Sequence, residues 1–174
     1  MGVGGVVAAA AVAGAVAVGA GSVAGQPDDE AWRDLGLTVV DQTSRTDQDC
    51  VAHSFGQVHD LLAAAPCRSL SRALFTLADG KGSLVAVSVA WVEFVERDVA
   101  KEFKRVEDIY ATGDITPLPA SLLRLDEITF TAHHYDSELF NTTVVVAEAE
   151  NVTGAASPEF LRQITQVAVL TPRP

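Results

Sequence analysis

Residues 84–95 (LVAVSVAWVEFV) are apolar at nearly every position. Successive strand side chains point to opposite sides, so a strand with this sequence has no face to offer to water and belongs at the centre of a sheet. The preceding run, residues 70–78 (LSRALFTLA), is also β-rich. Between the two, Asp79-Gly80-Lys81-Gly82 supplies glycines for the positive φ values of a tight turn. The pair reads as a hairpin.

Helical periodicity brackets that hairpin. Phe55, Val58, Leu61, Leu62 and Ala65 recur at helical intervals after Ser54, which stands three residues before Gln57 in capping-box spacing. Pro66 ends the run, which predicts a helix over about 55–64. Downstream, Val99, Phe103, Val106 and Tyr110 recur at i, i+4, i+7 and i+11, with Asp98 placed to cap the helix and Gly113 to close it. Lys101, Glu102, Lys104, Arg105, Glu107 and Asp108 read as its solvated sides. Residues 113–121 (GDITPLPAS) are a loop, and 127–135 (EITFTAHHY) with 142–149 (TTVVVAEA) form a second expected β pair. Ser157-Pro158-Glu159 starts a last helix, with Phe160, Ile164 and Val167 on one face. The fold class expected is α+β: a mainly antiparallel sheet of four to five strands covered by helices, in the order α-ββ-α-ββ-α. Residues 26–49, with Trp32 and the short β-like run 37–40, read as a polar linker before a domain spanning 50–174.

The first part of the chain obeys different rules. All 12 Lys+Arg and all 23 Asp+Glu lie from Asp28 onward. Gly2 to Gly25 is almost entirely Gly, Ala and Val, and its length suits a spanning helix of about 20 apolar residues. Residues 1–25 are therefore expected to be a membrane anchor or signal segment that precedes the domain. The positively charged n-region of a signal peptide is missing, although Val18-Gly19-Ala20 and Val23-Ala24-Gly25 have the small residues of a cleavage site. The anchor is preferred on its length, with a disordered Gly/Ala linker as the alternative. The missing basic residues also make a start upstream of Met1 an expectation. Such a segment places the domain outside the cytoplasm, held by a single pass in the cell membrane, with secretion as the alternative. Ala10-xxx-Gly14 would allow close helix packing and hence a homo-oligomer through this segment.

The formal net charge is −11, and Lys81, Lys101 and Lys104 are the lysines. Nucleic-acid binding needs clustered Lys and Arg, so no nucleic-acid partner is expected. Cys50 and Cys67, in a domain facing an oxidising compartment, are expected to form a disulfide, which would close a loop worth on the order of 3 kcal/mol. The strings Cys50-Val-Ala-His-Ser54-Phe-Gly56-Gln-Val58 and Pro66-Cys67-Arg-Ser-Leu70-Ser-Arg72-Ala-Leu74-Phe75, continuing to Ala147-Glu148-Ala149-Glu150, resemble uncharacterised membrane-anchored or secreted proteins of high-GC Gram-positive bacteria. That resemblance covers most of the domain. It implies the same location and disulfide, and it implies no activity.

No catalytic constellation stands out. GxSxG, phosphate-loop and dinucleotide glycine patterns do not occur, so no catalytic residue and no cofactor is assigned. His53 and His59 are about 600° apart around a helix and share no face. His133 and His134 alternate across a strand, with His134 on the apolar side as a structural residue, so no metal site is assigned. Glu148 and Glu150 read as a solvated edge. The best candidate for a binding surface is the strand face carrying Thr129, Thr131, His133 and Tyr135. The function expected is a non-enzymatic, membrane-anchored extracytoplasmic domain that binds an envelope protein or a small ligand. The alternatives are an envelope hydrolase built on a His, a carboxylate and Tyr135, and a structural self-associating membrane protein.

Overall fold

The computed structural model describes Met1, residues 28–125 and residues 128–174. The stretch Gly2–Gly25, and with it the expected anchor, lies outside the described residues. Among the described residues, no helix is long and apolar enough to cross a membrane.

In chain order the elements are α1 (Asp28–Asp34), β1 (Thr38–Asp47), β2 (Ser54–Phe55), α2 (Gly56–Ala64), β3 (Ser69–Ala78), β4 (Leu84–Glu93), α3 (Arg97–Glu107), β5 (Gly113–Ile115), β6 (Tyr135–Phe140), β7 (Thr143–Thr153) and α4 (Pro158–Ala168). Five strands make one antiparallel sheet in the order β1-β3-β4-β7-β6, and β2 pairs with β5 in a small second ribbon. The α+β class and the mainly antiparallel sheet are as the sequence predicts, and β4 takes the central place its two apolar faces require.

Every residue from Val85 to Val92 is buried. On one face of the sheet Phe75, Val87, Val89, Trp91, Val145 and Ala147 pack under Trp32 of α1 and Leu161, Ile164 and Ala168 of α4. On the other, Leu70, Ala90, Val92, Val144 and Val146 pack under Val58 and Leu62 of α2 and Ala100 and Phe103 of α3. Each such aliphatic side chain contributes about 1.5–3 kcal/mol when fully removed from water. The hairpin between β3 and β4 is tied by Asp79, whose Oδ1 accepts the amides of Lys81 (2.7 Å) and Ser83 (2.9 Å).

Several local expectations change. Residues 28–47, expected as linker, form α1 and the edge strand β1. Trp32 is fully buried against Phe75, ring centroids 6.2 Å apart, and Gly36 takes the left-handed conformation (φ 74°) that closes α1. Ser54 does not cap α2; its hydroxyl donates to the Val51 carbonyl. Helix α3 begins at Arg97, one residue before Asp98, and stops at Glu107, ahead of Gly113. Beyond its end the Thr112 hydroxyl bonds the carbonyls of Val106 (2.8 Å) and Ile109 (2.7 Å). At α4 the cap is as expected: Ser157 Oγ accepts the Phe160 amide, with Pro158 at the first helical position.

The largest change is in the second β pair. Strand β6 starts at Tyr135, and the described residues 128–134 are irregular. Carboxylates of β7 replace a neighbouring strand there: Glu148 Oε2 accepts the Ala132 amide (2.5 Å) and Glu150 Oε1 accepts the Thr131 amide (3.3 Å). Ala132 itself is left-handed (φ 57°), which breaks strand geometry.

Cys50 and Cys67 form the disulfide, with Cα atoms 6.2 Å apart, and Cys50 is buried under α2. Opening this loop by reduction is expected to remove about 3 kcal/mol of stability, read as a shift between urea transitions with and without reductant. Replacing Trp32 with Ala is expected to cost about 3–5 kcal/mol in the same measurement. A loss within a few tenths of a kcal/mol would mean that residues 28–34 are no part of the folded unit.

Candidate functional site

On the second sheet face, α2 and α3 cover only part of the surface. One row at the edge of that cover runs across four strands in register: Leu74 of β3, Ser88 of β4, Glu148 of β7 and Tyr135 of β6. The chain after β5, with a short 3-10 turn at Ala120–Leu123, covers the near end of this row, setting Leu118 and Leu123 on Leu74, with Leu125 and Phe130 beside them. The cover is incomplete. It leaves a cavity of about 490 Å³ with Phe55, Leu118, Leu125 and Phe130 among its apolar walls and Asp114 and Glu148 among its polar ones.

The ribbon β2–β5 brings Asp114 to that wall through a close crossing of two backbones. Gly56 and Gly113 are paired, and both have positive φ (65° and 123°). A Cβ on Gly113 would lie 2.1 Å from the Phe55 carbonyl oxygen, and one on Gly56 2.4 Å from that of Thr112. Only glycine fits at either place. The next pair in this ribbon is Phe55 with Asp114, so an aromatic ring and a carboxylate are neighbours at the cavity.

Behind this wall stands a third acidic group. Glu107, the last residue of α3, is 6% exposed, and no N–H or O–H reaches either carboxylate oxygen. The Ile115 amide, which approaches it, bonds Asp114 Oδ1 instead (2.6 Å). Burial pushes the Glu107 carboxyl up to about 11, and the Asp114 carboxyl beside it pushes the same way. Burial likewise raises Glu148 to about 8, again with Asp114 adding to the effect. The hydrogen bonds available within this cluster are those of carboxyls that share protons. Among the described residues, no lysine or arginine pairs with Glu107, Asp114 or Glu148. Nor is any group of three or more His, Cys, Asp or Glu arranged to hold a metal ion.

The residues singled out from sequence are dispersed. Thr129 lines the cavity. Thr131 turns to Glu150, which its hydroxyl bonds. His133 stacks on Tyr110 outside the cavity, ring centroids 5.5 Å apart, with the Tyr110 hydroxyl 3.2 Å from its Nε2. Tyr135 Oη donates to Asp108 Oδ1 (3.0 Å). These four therefore do not share a face. His134 is mostly buried, its Nδ1 3.9 Å from Glu150 Oε2 and its carbonyl bonded by the Ala149 amide, as befits a structural residue. No histidine and no tyrosine lines the cavity, so the His, carboxylate and Tyr135 expected in a hydrolase do not converge there.

A second polar cluster lies on α3 and β6. Lys104 Nζ donates to Asp108 Oδ2 (2.8 Å) and to Ser137 Oγ (2.6 Å), and Ser137 Oγ donates to Asp108. Burial works against the Asp108 carboxylate, but hydrogen bonds from Lys104 and Ser137 outweigh it and hold its pKa below the usual range. This cluster joins helix to sheet.

Glu148 and Glu107 were both expected in water, and both are inside. The signal was present in the sequence. Glu148 continues the alternation of Val144 and Val146, and Glu107 lies four residues after Phe103 on the same helix face. No protein-family model, no curated protein and no solved structure matches the chain.

Raised carboxyl pKa values have a sign. The folded protein holds protons on Glu107 and Glu148 that the unfolded chain releases near pH 4.5, so their contribution to stability is present below that pH. It is lost as pH rises, through about 8 for Glu148 and about 11 for Glu107. Glu107→Gln is expected to remove about 1 kcal/mol per pH unit of this loss between pH 5 and 8. Urea denaturation of both proteins across that range checks it. A constant difference would show that Glu107 is not held protonated.

Proposed function

We propose that this chain is a membrane-anchored domain outside the cytoplasm that binds a small ligand in the cavity beside β2 and β5, and that it performs no chemistry on that ligand. The observation that carries this reading is the cavity itself. Its volume of about 490 Å³ falls within the roughly 300–1,000 Å³ of small-molecule sites, and it pairs apolar walls with a few convergent polar groups as such sites do. The disulfide and the uncharged stretch Gly2–Gly25 support the location, and the resemblance to anchored proteins of high-GC Gram-positive bacteria points the same way. A binding role without catalysis is favoured because the lining hydroxyls, Ser121 and Thr129, have no histidine beside them among the groups that line the cavity. Carboxyls with perturbed pKa at a cleft mark it as a functional site.

N-phenylnaphthylamine, an apolar dye that brightens away from water, tests the cavity. The expected result is saturable brightening with the wild-type protein and its loss in Ala120→Trp, which fills the space at the cavity wall, with the unfolding transition kept. Equal binding by the variant would place the dye elsewhere and remove the cavity as the ligand site.

A further inference from the structure

We propose that the ligand is a protonated amine on an apolar body, its ammonium group lying among Asp114, Glu148 and Glu107. This rests on the cavity being the ligand site, and it names what the site takes.

The first ground is Glu107. It is 6% exposed, finds no partner outside the carboxyl cluster that satisfies its two oxygens, and stands beside Asp114 and Glu148, the two carboxyls that line the cavity. A buried carboxyl with no cation to pair with stays neutral by holding its proton, and an entering cation would remove that need. The second ground is what surrounds it. Glu107 on α3, Asp114 on β5 and Glu148 on β7 face one another, with Glu150 of β7 next to Glu148 and with Tyr135 of β6 and Asp108 close by. Apart from the protons the carboxyls themselves hold, the donors close by are the Ala132 amide, which Glu148 takes, and the Tyr135 hydroxyl, which Asp108 takes. A primary ammonium has three N–H donors, no acceptor and one compact positive charge. A carboxylate or phosphate ligand would add like charge, and a hydroxyl would bring one donor and no charge. The metal alternative has no suitable ligand geometry among the described residues.

The third ground is the remainder of the wall. Leu118, Leu125 and Phe130 suit an apolar body. Phe55, the strand partner of Asp114, sets an aromatic ring beside the carboxylate, and ring faces attract cations. The charge balance is simple: protons held by the carboxyl cluster leave for solvent as the ammonium enters, and no bond is made or broken in the ligand.

Titration calorimetry on the full chain at pH 7 tests this with two ligands of one skeleton, naphthylmethylamine and naphthylmethanol, each in two buffers of different ionisation enthalpy. The amine is expected to bind about ten- to hundredfold more tightly, the range of a hydrogen bond to a charged group. Its heat should change with the buffer, because protons are released, and the alcohol's heat should not. Glu148→Gln should cut the amine's advantage over the alcohol by about tenfold or more. Asp114→Asn should do the same, which keeps the test open if one variant fails to fold. Equal affinity for amine and alcohol overturns the ammonium and leaves the cavity reading standing. Binding of neither ligand removes both.

Discussion

Burial of β4 on both faces is the condition on which the other elements depend. A strand whose residues from Val85 to Val92 are all inside cannot be served by a sheet with one wet face, so two covers are required. On the first face α4 is too short to do this alone, and α1 completes it. Trp32 is thereby built into the core, and a stretch with polar composition becomes part of the domain. On the second face α2 and α3 bring Val58, Leu62, Ala100 and Phe103 onto the sheet. The disulfide fastens the chain before α2 to the chain after it, and so fixes where that helix lies.

The cavity follows from how the second cover ends. Past α2 and α3 the sheet is still wide, and the chain after β5, loop with one short 3-10 turn at Ala120–Leu123 among its described residues, lies over the Leu74 end of the row Leu74–Ser88–Glu148–Tyr135. Irregular backbone near a core has amides to satisfy. Glu148 and Glu150 take those of Ala132 and Thr131, so part of the acidity inside is structural. The same economy does not account for Glu107. It bonds no amide and ends a helix whose other buried residues, Ala100 and Phe103, are apolar.

The strands and helices of the core were legible from periodicity because burial there is symmetric and apolar. The disulfide was legible because the chain has two cysteines and an oxidising compartment was expected. Three things were not. Trp32 lies in QPDDEAWRD, where composition outweighs one large side chain, although a fully buried indole decides the fate of a short helix. The second β pair slipped because EITFTAHHY has strand propensity, while Glu148 and Glu150 hold its end in another geometry; long-range hydrogen bonds override local preference. Asp114 had no signal at all. Its place depends on the crossing of Gly56 and Gly113, which are distant in sequence, and in the chain these glycines look like a helix residue and a helix stop. Glu107 and Glu148 were readable in principle, since each falls on an apolar phase, but a carboxylate on such a phase is ordinarily given to solvent.

The acidic cluster sets stability against recognition. At neutral pH the protein would gain from Gln or Leu at position 107, because a protonated carboxyl there gives up free energy with every pH unit above its unfolded pKa. Proteins tolerate such a loss where it stays above the threshold for folding and where the strained group serves binding. A ligand that binds only the folded state stabilises it in proportion to the logarithm of its concentration, and a cation entering this site would act on the very groups that weaken it. The formal charge of −11 acts in the same direction at longer range, since an acidic surface draws cations toward a cleft with low-dielectric walls. The apolar walls then discriminate among cations by body, which the carboxyls alone could not do. Selectivity in such a site comes from requiring both features in one molecule, and the Phe55–Asp114 pair is where the two meet.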